Sequence, residues 1–107
     1  MLRVVLAALI VLLISSSAQA AKVIEIDISG EINHGTAVQV SDAFQMAKDV
    51  KADAILVVID TPGGLVSSMK DIVTDILQSS IPVITYVPPG AFSASAGSFI
   101  LISGNIA

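Results

Sequence analysis

An uninterrupted aliphatic run at residues 54–59 is the feature that most restricts the fold of this chain. The run is short and rich in β-branched residues, and it lies between Asp53 and the turn sequence Thr61-Pro62-Gly63-Gly64. A run of this kind is typical of a strand that is buried on both faces. Such strands occur in parallel sheets that are covered by helices, so the run predicts an α/β fold.

Two further segments of the sequence predict strands. Residues 22–28 alternate apolar and charged side chains over their second half, which is the period of a strand with one buried face. Ile24, Ile26 and Ile28 would then point inward. Residues 81–87 form another apolar run, which Pro82 opens, and we expect a third strand there.

Helical spacing separates these strands. Residues 36–50 and 65–77 carry apolar side chains at intervals of three and four, and Thr36 is the expected N-cap of the first helix. Residues 99–102 are consistent with another helix. An alternation of strands and helices favours an α/β layer with a mostly parallel sheet.

The N-terminus has the three parts of a secretory signal peptide. A short positive start, Met1-Leu2-Arg3, precedes an apolar run at residues 4–14, and Ala18-Gln19-Ala20 forms an A-x-A cleavage site. The run is shorter than the roughly 20 residues that span a bilayer. We therefore expect residues 1–20 to be a signal peptide, residues 21–107 to be the mature part, and the protein to be exported.

Composition excludes several classes of function. The formal net charge is −4 and no basic patch is present, so nucleic-acid binding is not expected. The chain has no cysteine, so its fold depends on burial without disulfides. No cluster of His and acidic residues has the spacing of metal ligands, and we expect neither a metal nor a cofactor.

Two Gly- and Ser-rich stretches follow predicted strands. Residues 61–64 follow the second strand, and residues 89–97 follow the third. Active sites of parallel sheets gather at the carboxyl ends of strands. A serine among small residues at a strand-to-helix junction can act as a nucleophile, and amides of a glycine turn can form an oxyanion hole. Plain turns and helix caps remain the alternative interpretation of both stretches.

Taken together, these motifs resemble a known family. Asp60-Thr61-Pro62-Gly63-Gly64, Ile81-Pro82-Val83, Pro88-Pro89-Gly90-Ala91 and Ser95-Ala96-Gly97 are similar to the protease domain of NfeD-type membrane-bound serine proteases, which belong with the ClpP and signal-peptide-peptidase class. The resemblance extends over residues 21–107. It implies a ClpP/crotonase-like α/β fold with a mostly parallel sheet.

The resemblance also assigns roles to individual residues. Ser95 matches the nucleophile of the family, with Ser93 and Ser98 as local rivals. Gly63 and Gly64 match the oxyanion turn, and the backbone amide of Ala96 is the expected second donor. Phe92 stands where relatives often have a small residue.

The resemblance implies that a lysine downstream of the serine is the general base. No lysine follows Ser95 in this sequence, and relatives continue into a further strand, the base, transmembrane helices and a small β-barrel. We therefore interpret residues 21–107 as the N-terminal part of the protease domain, incomplete at the base. Lys70 falls on the polar side of its predicted helix, and His34 falls in a predicted loop, so neither is the expected base.

Three functions remain open from the sequence. The first, which the resemblance implies, is an exported, membrane-associated serine endopeptidase of the Ser–Lys type that cleaves hydrophobic segments of membrane proteins. The resemblance also implies peptide or membrane-protein substrates, stomatin-like partners and a homo-oligomer. The second is a catalytically inactive fragment that acts through binding alone. The third is a crotonase-type acyl-thioester enzyme, whose related fold also uses glycine-turn amides.

Overall fold

The computed structural model describes residues 1–14 and 19–107. Ala18 of the predicted cleavage site lies outside the described residues. Within the described ranges, no helix combines the length and the apolarity that crossing a membrane requires. The elements are α1 (Leu2–Ile14), β1 (Val23–Ser29), α2 (His34–Asp49), β2 (Ala54–Asp60), α3 (Val66–Gln78), β3 (Val83–Tyr86) and α4 (Ala96–Ser103).

The three strands form one parallel sheet in the order β1-β2-β3. The register runs from Val23 opposite Ala54 to Ser29 opposite Asp60 in the first pair. In the second pair, Ile55 lies opposite Val83. Parallel pairing through helical connections confirms the predicted α/β class.

One face of the sheet carries the hydrophobic core. Residues in register share a face, and every second residue of each strand is buried. Side chains from α2, α3 and α4 pack on that face. The core members from the strands and these helices include Ile26, Ile28, Ile55, Val57, Ile59, Val83, Val40, Phe44, Ile72, Ile76 and Ile100.

The opposite face of the sheet is half covered. Leu56, Val58 and Ile84 are partly exposed there, and Tyr86 is exposed. The prediction that the second strand is buried on both faces therefore holds for one face only. The physical reason is that the helices which contribute to the core all pack on the other side.

The helix α2 begins earlier than its apolar spacing predicts. Asn33 is the N-cap, and its Oδ1 accepts a hydrogen bond from the amide of Thr36 at 3.0 Å. The Thr36 hydroxyl in turn accepts from the Asn33 amide at 3.2 Å, which completes a capping box. The assignment of Thr36 as N-cap was therefore wrong, and His34 is the first helical residue rather than a loop residue.

The strand β3 is shorter than predicted, and α4 is longer. Proline has no amide to donate to a ladder, and Pro82 and Pro88 bracket the four residues of β3. After α4 the chain returns beside β3, where the Thr85 amide donates to the Ile106 carbonyl at 2.8 Å. This contact forms a parallel bridge at the free edge of β3.

Candidate active site

Three loops meet at the carboxyl end of the sheet. They are the β1 loop (residues 30–33), the glycine turn (residues 61–65) and the serine loop (residues 87–95). Parallel bridges join the β1 loop to the glycine turn and the glycine turn to the serine loop. The sequence placed both Gly- and Ser-rich stretches at this edge, and the structure brings them together there.

The backbone of Ser95 has an unusual conformation. Its φ is 53° and its ψ is −120°, and among the described residues only Lys51 shares a positive φ without being glycine. A residue held in such a region stores on the order of 1–3 kcal/mol of strain, which the surrounding contacts must offset. Strain of this kind is common where a side chain has to be presented for function.

The side chain of Ser95 is exposed at the N-terminus of α4. Ser95 is the N-cap residue of this helix, yet its hydroxyl makes no capping hydrogen bond. A serine at this position ordinarily accepts a bond from an amide of the first turn. The amide of Gly97 instead donates to the Ala94 carbonyl at 2.9 Å. The Ser95 hydroxyl is therefore left free to react with a ligand.

The glycine turn packs directly against Ser95. A Cβ atom placed on Gly63 would lie 2.9 Å from the Ser95 Cβ and 3.3 Å from its Oγ. Real Cβ atoms do not approach neighbours so closely, so a side chain at this position would displace the serine. The absence of a side chain at Gly63 thus allows the turn and the nucleophile candidate to share one small space.

The two glycines of the turn have different hydrogen bonds. The Gly63 amide donates to the Thr61 hydroxyl at 3.1 Å, so this amide is already engaged. The Gly63 carbonyl accepts from the Ile32 amide at 2.8 Å. In a trans peptide the following N–H points away from the carbonyl, so the Gly64 amide points away from Ile32.

Two amides remain available around the serine. Among the hydrogen bonds of the described residues, neither the Gly64 amide nor the Ala96 amide has an acceptor. The Ala96 amide belongs to the first turn of α4, where the helix dipole favours negative charge. Of the predicted oxyanion residues, Gly64 and Ala96 thus have amides to offer, whereas Gly63 provides close approach.

Gly64 is confined by the β1 loop. A Cβ atom on Gly64, whose φ is 155°, would overlap the carbonyl oxygen of Ile32. The Leu65 amide donates to that same carbonyl at 2.9 Å. The β1 loop therefore fixes the backbone on both sides of Gly64.

The rival serines are less available than Ser95. The Ser93 hydroxyl is buried and has no hydrogen-bond partner within the described part of the chain. It lies beneath α4, where a Cβ on Gly97 would be 2.6 Å from the Ser93 Oγ. Ser98 is exposed, but its hydroxyl donates to the Ser93 carbonyl at 3.3 Å. Ser93 thus differs from Ser95 in the burial of its hydroxyl, and Ser98 differs from Ser95 in the hydrogen bond of its hydroxyl.

An apolar groove of about 810 Å³ lies between α3 and α4. It begins two residues after Gly64 and continues along the helix that Ser95 caps. Lys70 borders it and is exposed on α3. Burial is what turns a lysine amine into a base, so this exposure does not favour Lys70 in that role. The apolar lining residues are Val66, Met69, Val73, Leu77, Phe99 and Ile102.

The remaining groups considered from the sequence are His34, Asp60 and possible metal ligands. His34 is an exposed residue at the start of α2. The Asp60 carboxylate accepts from the Phe92 amide at 3.4 Å, which links β2 to the serine loop. Across residues 1–14 and 19–107, no three His, Cys, Asp or Glu side chains are grouped so that they could hold a metal ion.

Sequence reasoning missed the importance of Thr61. This residue is fully buried and bonds to both neighbouring loops. The strand period offered a signal, because Ile55, Val57 and Ile59 point inward and position 61 continues the series. A buried hydroxyl needs hydrogen-bond partners, so a threonine at an inward position predicts bonds to the neighbouring loops.

Comparison with known proteins agrees with this geometry. The profile of the NfeD1b N-terminal domain matches residues 22–106. The chain is 37% identical over 108 residues to the membrane-bound protease PH1510 of Pyrococcus horikoshii. This alignment covers 99% of this chain but 24% of that protein. The chain thus spans about a quarter of the length of this relative.

Solved structures show the same fold. The 1510-N membrane protease from Pyrococcus horikoshii, which is specific for a stomatin homolog, is 41% identical with a TM-score of 0.73 over 80% of this chain and 44% of that one. ClpP1 from Listeria monocytogenes is 28% identical with a TM-score of 0.70 over 75% of this chain and 46% of that one. These likenesses confirm the predicted ClpP-like fold and the predicted family. The chain therefore belongs to the NfeD family, to whose N-terminal domain residues 22–106 correspond.

Proposed function

We propose that this chain carries the nucleophile and the oxyanion site of an exported, membrane-associated serine protease. The observation that carries the proposal is the contact between Ser95 and the glycine turn, with the Ser95 hydroxyl free and exposed. Relatives that are named as proteases favour peptide hydrolysis over acyl-thioester chemistry.

In the proposed reaction, the Ser95 Oγ attacks the carbonyl carbon of a peptide bond. The C=O π electrons move to the oxygen, and the Gly64 and Ala96 amides donate hydrogen bonds to the resulting oxyanion. Each such donor is worth on the order of 100-fold or more in rate. The serine proton passes to a base and then to the leaving amine, and water later hydrolyses the acyl-enzyme.

We assign the base to a lysine in the remainder of the protease domain. Relatives extend well beyond the matched region, since it covers 24% of PH1510. A neutral lysine amine can accept the serine proton once burial lowers its pKa. Neither His34 nor Lys70 is assigned this role, because both are exposed and burial is what lowers the pKa of a lysine base.

We propose apolar peptide segments as substrates. The groove between α3 and α4 is lined mainly by aliphatic and aromatic side chains, of which Phe99 is 56% exposed and Ile102 is 74% exposed. Burial of such surfaces by an apolar peptide is favourable. The 1510-N protease has been solved in complex with a substrate peptide and is named for stomatin specificity. We therefore propose a stomatin-like partner and a homo-oligomeric protein on the extracytoplasmic side of the membrane.

The test uses the native protein and two serine variants. We expect Ser95→Ala to abolish both fluorophosphonate labelling and cleavage of an apolar peptide, with a loss of about 1,000-fold or more in kcat. Ser98→Ala is the matched control, because this exposed serine lies three residues away on the same helix, and it should retain labelling. Equal labelling of wild type and Ser95→Ala, or loss in Ser98→Ala alone, would refute the assignment of Ser95.

A further inference from the structure

We propose that Thr61 is a positioning residue, whose hydroxyl orients the Gly64 amide toward the oxyanion while its backbone holds the serine loop in place. The inference rests on the proposed function, since it concerns the same reaction. It adds a residue that lies outside the contacts of the nucleophile itself. Thr61 is the first residue of the glycine turn, directly after β2, and it is buried at 0% exposure.

The Thr61 hydroxyl joins the glycine turn to the β1 loop. Its Oγ1 donates to the Gly30 carbonyl at 2.5 Å and accepts from the Gly63 amide at 3.1 Å. A hydroxyl has one proton, and the Gly63 carbonyl lies farther from the same Oγ1, at 3.2 Å, so we assign the donation to the nearer Gly30 carbonyl. A lone pair of the Thr61 Oγ1 then accepts the hydrogen bond from the Gly63 amide. Without this bond, the Gly63 amide would be free to turn toward the substrate.

This hydrogen bond and the bond from Ile32 together hold the two peptide planes that flank Gly63. The Gly63 amide is held by Thr61, and the Gly63 carbonyl is held by Ile32 at 2.8 Å. The Gly63 carbonyl and the Gly64 N–H share one peptide plane, so the bond from Ile32 points the Gly64 N–H away from Ile32, while the Thr61 hydroxyl fixes the preceding plane and so limits rotation at Gly63. Glycine allows many backbone conformations, so a turn with two glycines depends on such bonds for its geometry.

The rest of Thr61 connects the turn to the nucleophile. The Thr61 amide donates to the Phe92 carbonyl at 2.8 Å, and its carbonyl accepts from the Ala94 amide at 3.0 Å. Its γ-methyl packs beneath α4, where a Cβ on Gly97 would be 2.5 Å away. Thr61 therefore bonds to the serine loop through its backbone and to the Gly63 amide through its side chain.

Two substitutions separate the hydroxyl from the shape of the side chain. Thr61→Val keeps the branched shape and the γ-methyl but removes the donor and the acceptor. Thr61→Ser keeps the hydroxyl but removes the methyl. A residue that only filled space would tolerate Val better than Ser, whereas a positioning hydroxyl requires the opposite order.

The kinetic test measures kcat and KM for peptide cleavage by the native protein. We expect Thr61→Val to lower kcat by about 10- to 100-fold with KM changed by less than about twofold, because a displaced donor weakens transition-state binding. Thr61→Ser should remain within about threefold of wild type. The melting temperature of each variant ensures that the assay compares folded proteins. Equal kcat for the two variants, or a change in KM alone, would overturn the proposal.

A second measurement does not depend on activity. Amide hydrogen exchange of the full chain should show a protected Gly63 amide and a rapidly exchanging Gly64 amide. Thr61→Val should remove the protection at Gly63, and Thr61→Ser should keep it. Retained protection in Thr61→Val would overturn the positioning role even in an active protease. The expected exchange pattern in a protein that cleaves no peptide would instead support the geometry and refute the proposed function.

Discussion

The contact between Gly63 and Ser95 predicts a large effect for Gly63→Ala. The new methyl would lie 2.9 Å from the Ser95 Cβ and 3.2 Å from the Ala94 carbonyl oxygen, and the φ of +119° is one that L side chains rarely adopt. Backbone strain of this kind costs about 1–3 kcal/mol, and overpacking costs about 1–3 kcal/mol more. We expect the free energy of unfolding to fall by about 2–6 kcal/mol.

Gly90→Ala is the matched control for this substitution. Gly90 also has a positive φ, at +82°, but a Cβ there would meet no atom within 4 Å. Its cost is the backbone strain alone, about 1–2 kcal/mol. Urea denaturation of the full chain, followed by far-UV circular dichroism, gives both values under the same conditions. If Gly63→Ala destabilised the chain no more than Gly90→Ala, the contact with Ser95 would not exist in solution.

Two further substitutions test strain and charge. Ser95→Gly should raise the free energy of unfolding by about 1 kcal/mol while abolishing fluorophosphonate labelling, because glycine relieves the positive φ of 53°; a less stable variant would contradict the strain. Burial, followed by repulsion from Asp71, raises the pKa of Asp75. The folded chain therefore binds this proton more tightly than the unfolded chain does, and the associated stability is lost as pH rises through the raised pKa. Asp75→Asn should reduce this loss of stability with rising pH. It should also raise the free energy of unfolding at neutral pH by about 0.3 kcal/mol, because it removes the repulsion between Asp71 and Asp75, which lie one helical turn apart. Urea denaturation at acidic and neutral pH measures both effects, and an unchanged dependence of stability on pH would refute the prediction.

The strands could be predicted because their patterns report burial directly. The alternation in β1 gave the correct buried face, with Ile26 and Ile28 inward. The aliphatic run of β2 correctly gave a strand, but it indicated two covered faces where the helices cover one. A run of apolar residues does not distinguish full burial on both sides from partial burial on one side, because Leu56 and Val58 look the same in either environment.

Local hydrogen bonds explain where the sequence was less informative. The start of α2 depends on the reciprocal bonds of Asn33 and Thr36, and Asn-His-Gly otherwise has the composition of a loop. The positive φ of Ser95 likewise arises from the loops around it, because serine has no preference for that backbone conformation. The sequence did not show that the Gly63 amide is hydrogen-bonded while the Gly64 amide is free. That difference depends on the position of the Thr61 hydroxyl, which only the folded chain defines.

The bonds of Thr61 also bear on the order in which the chain assembles. Gly30 lies 31 residues before Thr61, and the serine loop follows it by a comparable distance. A chain that has formed only β1, α2, β2 and the glycine turn therefore lacks the serine loop to which Thr61 bonds. The strained backbone conformation of Ser95 is therefore set only after both crossover connections have closed and α4 has docked.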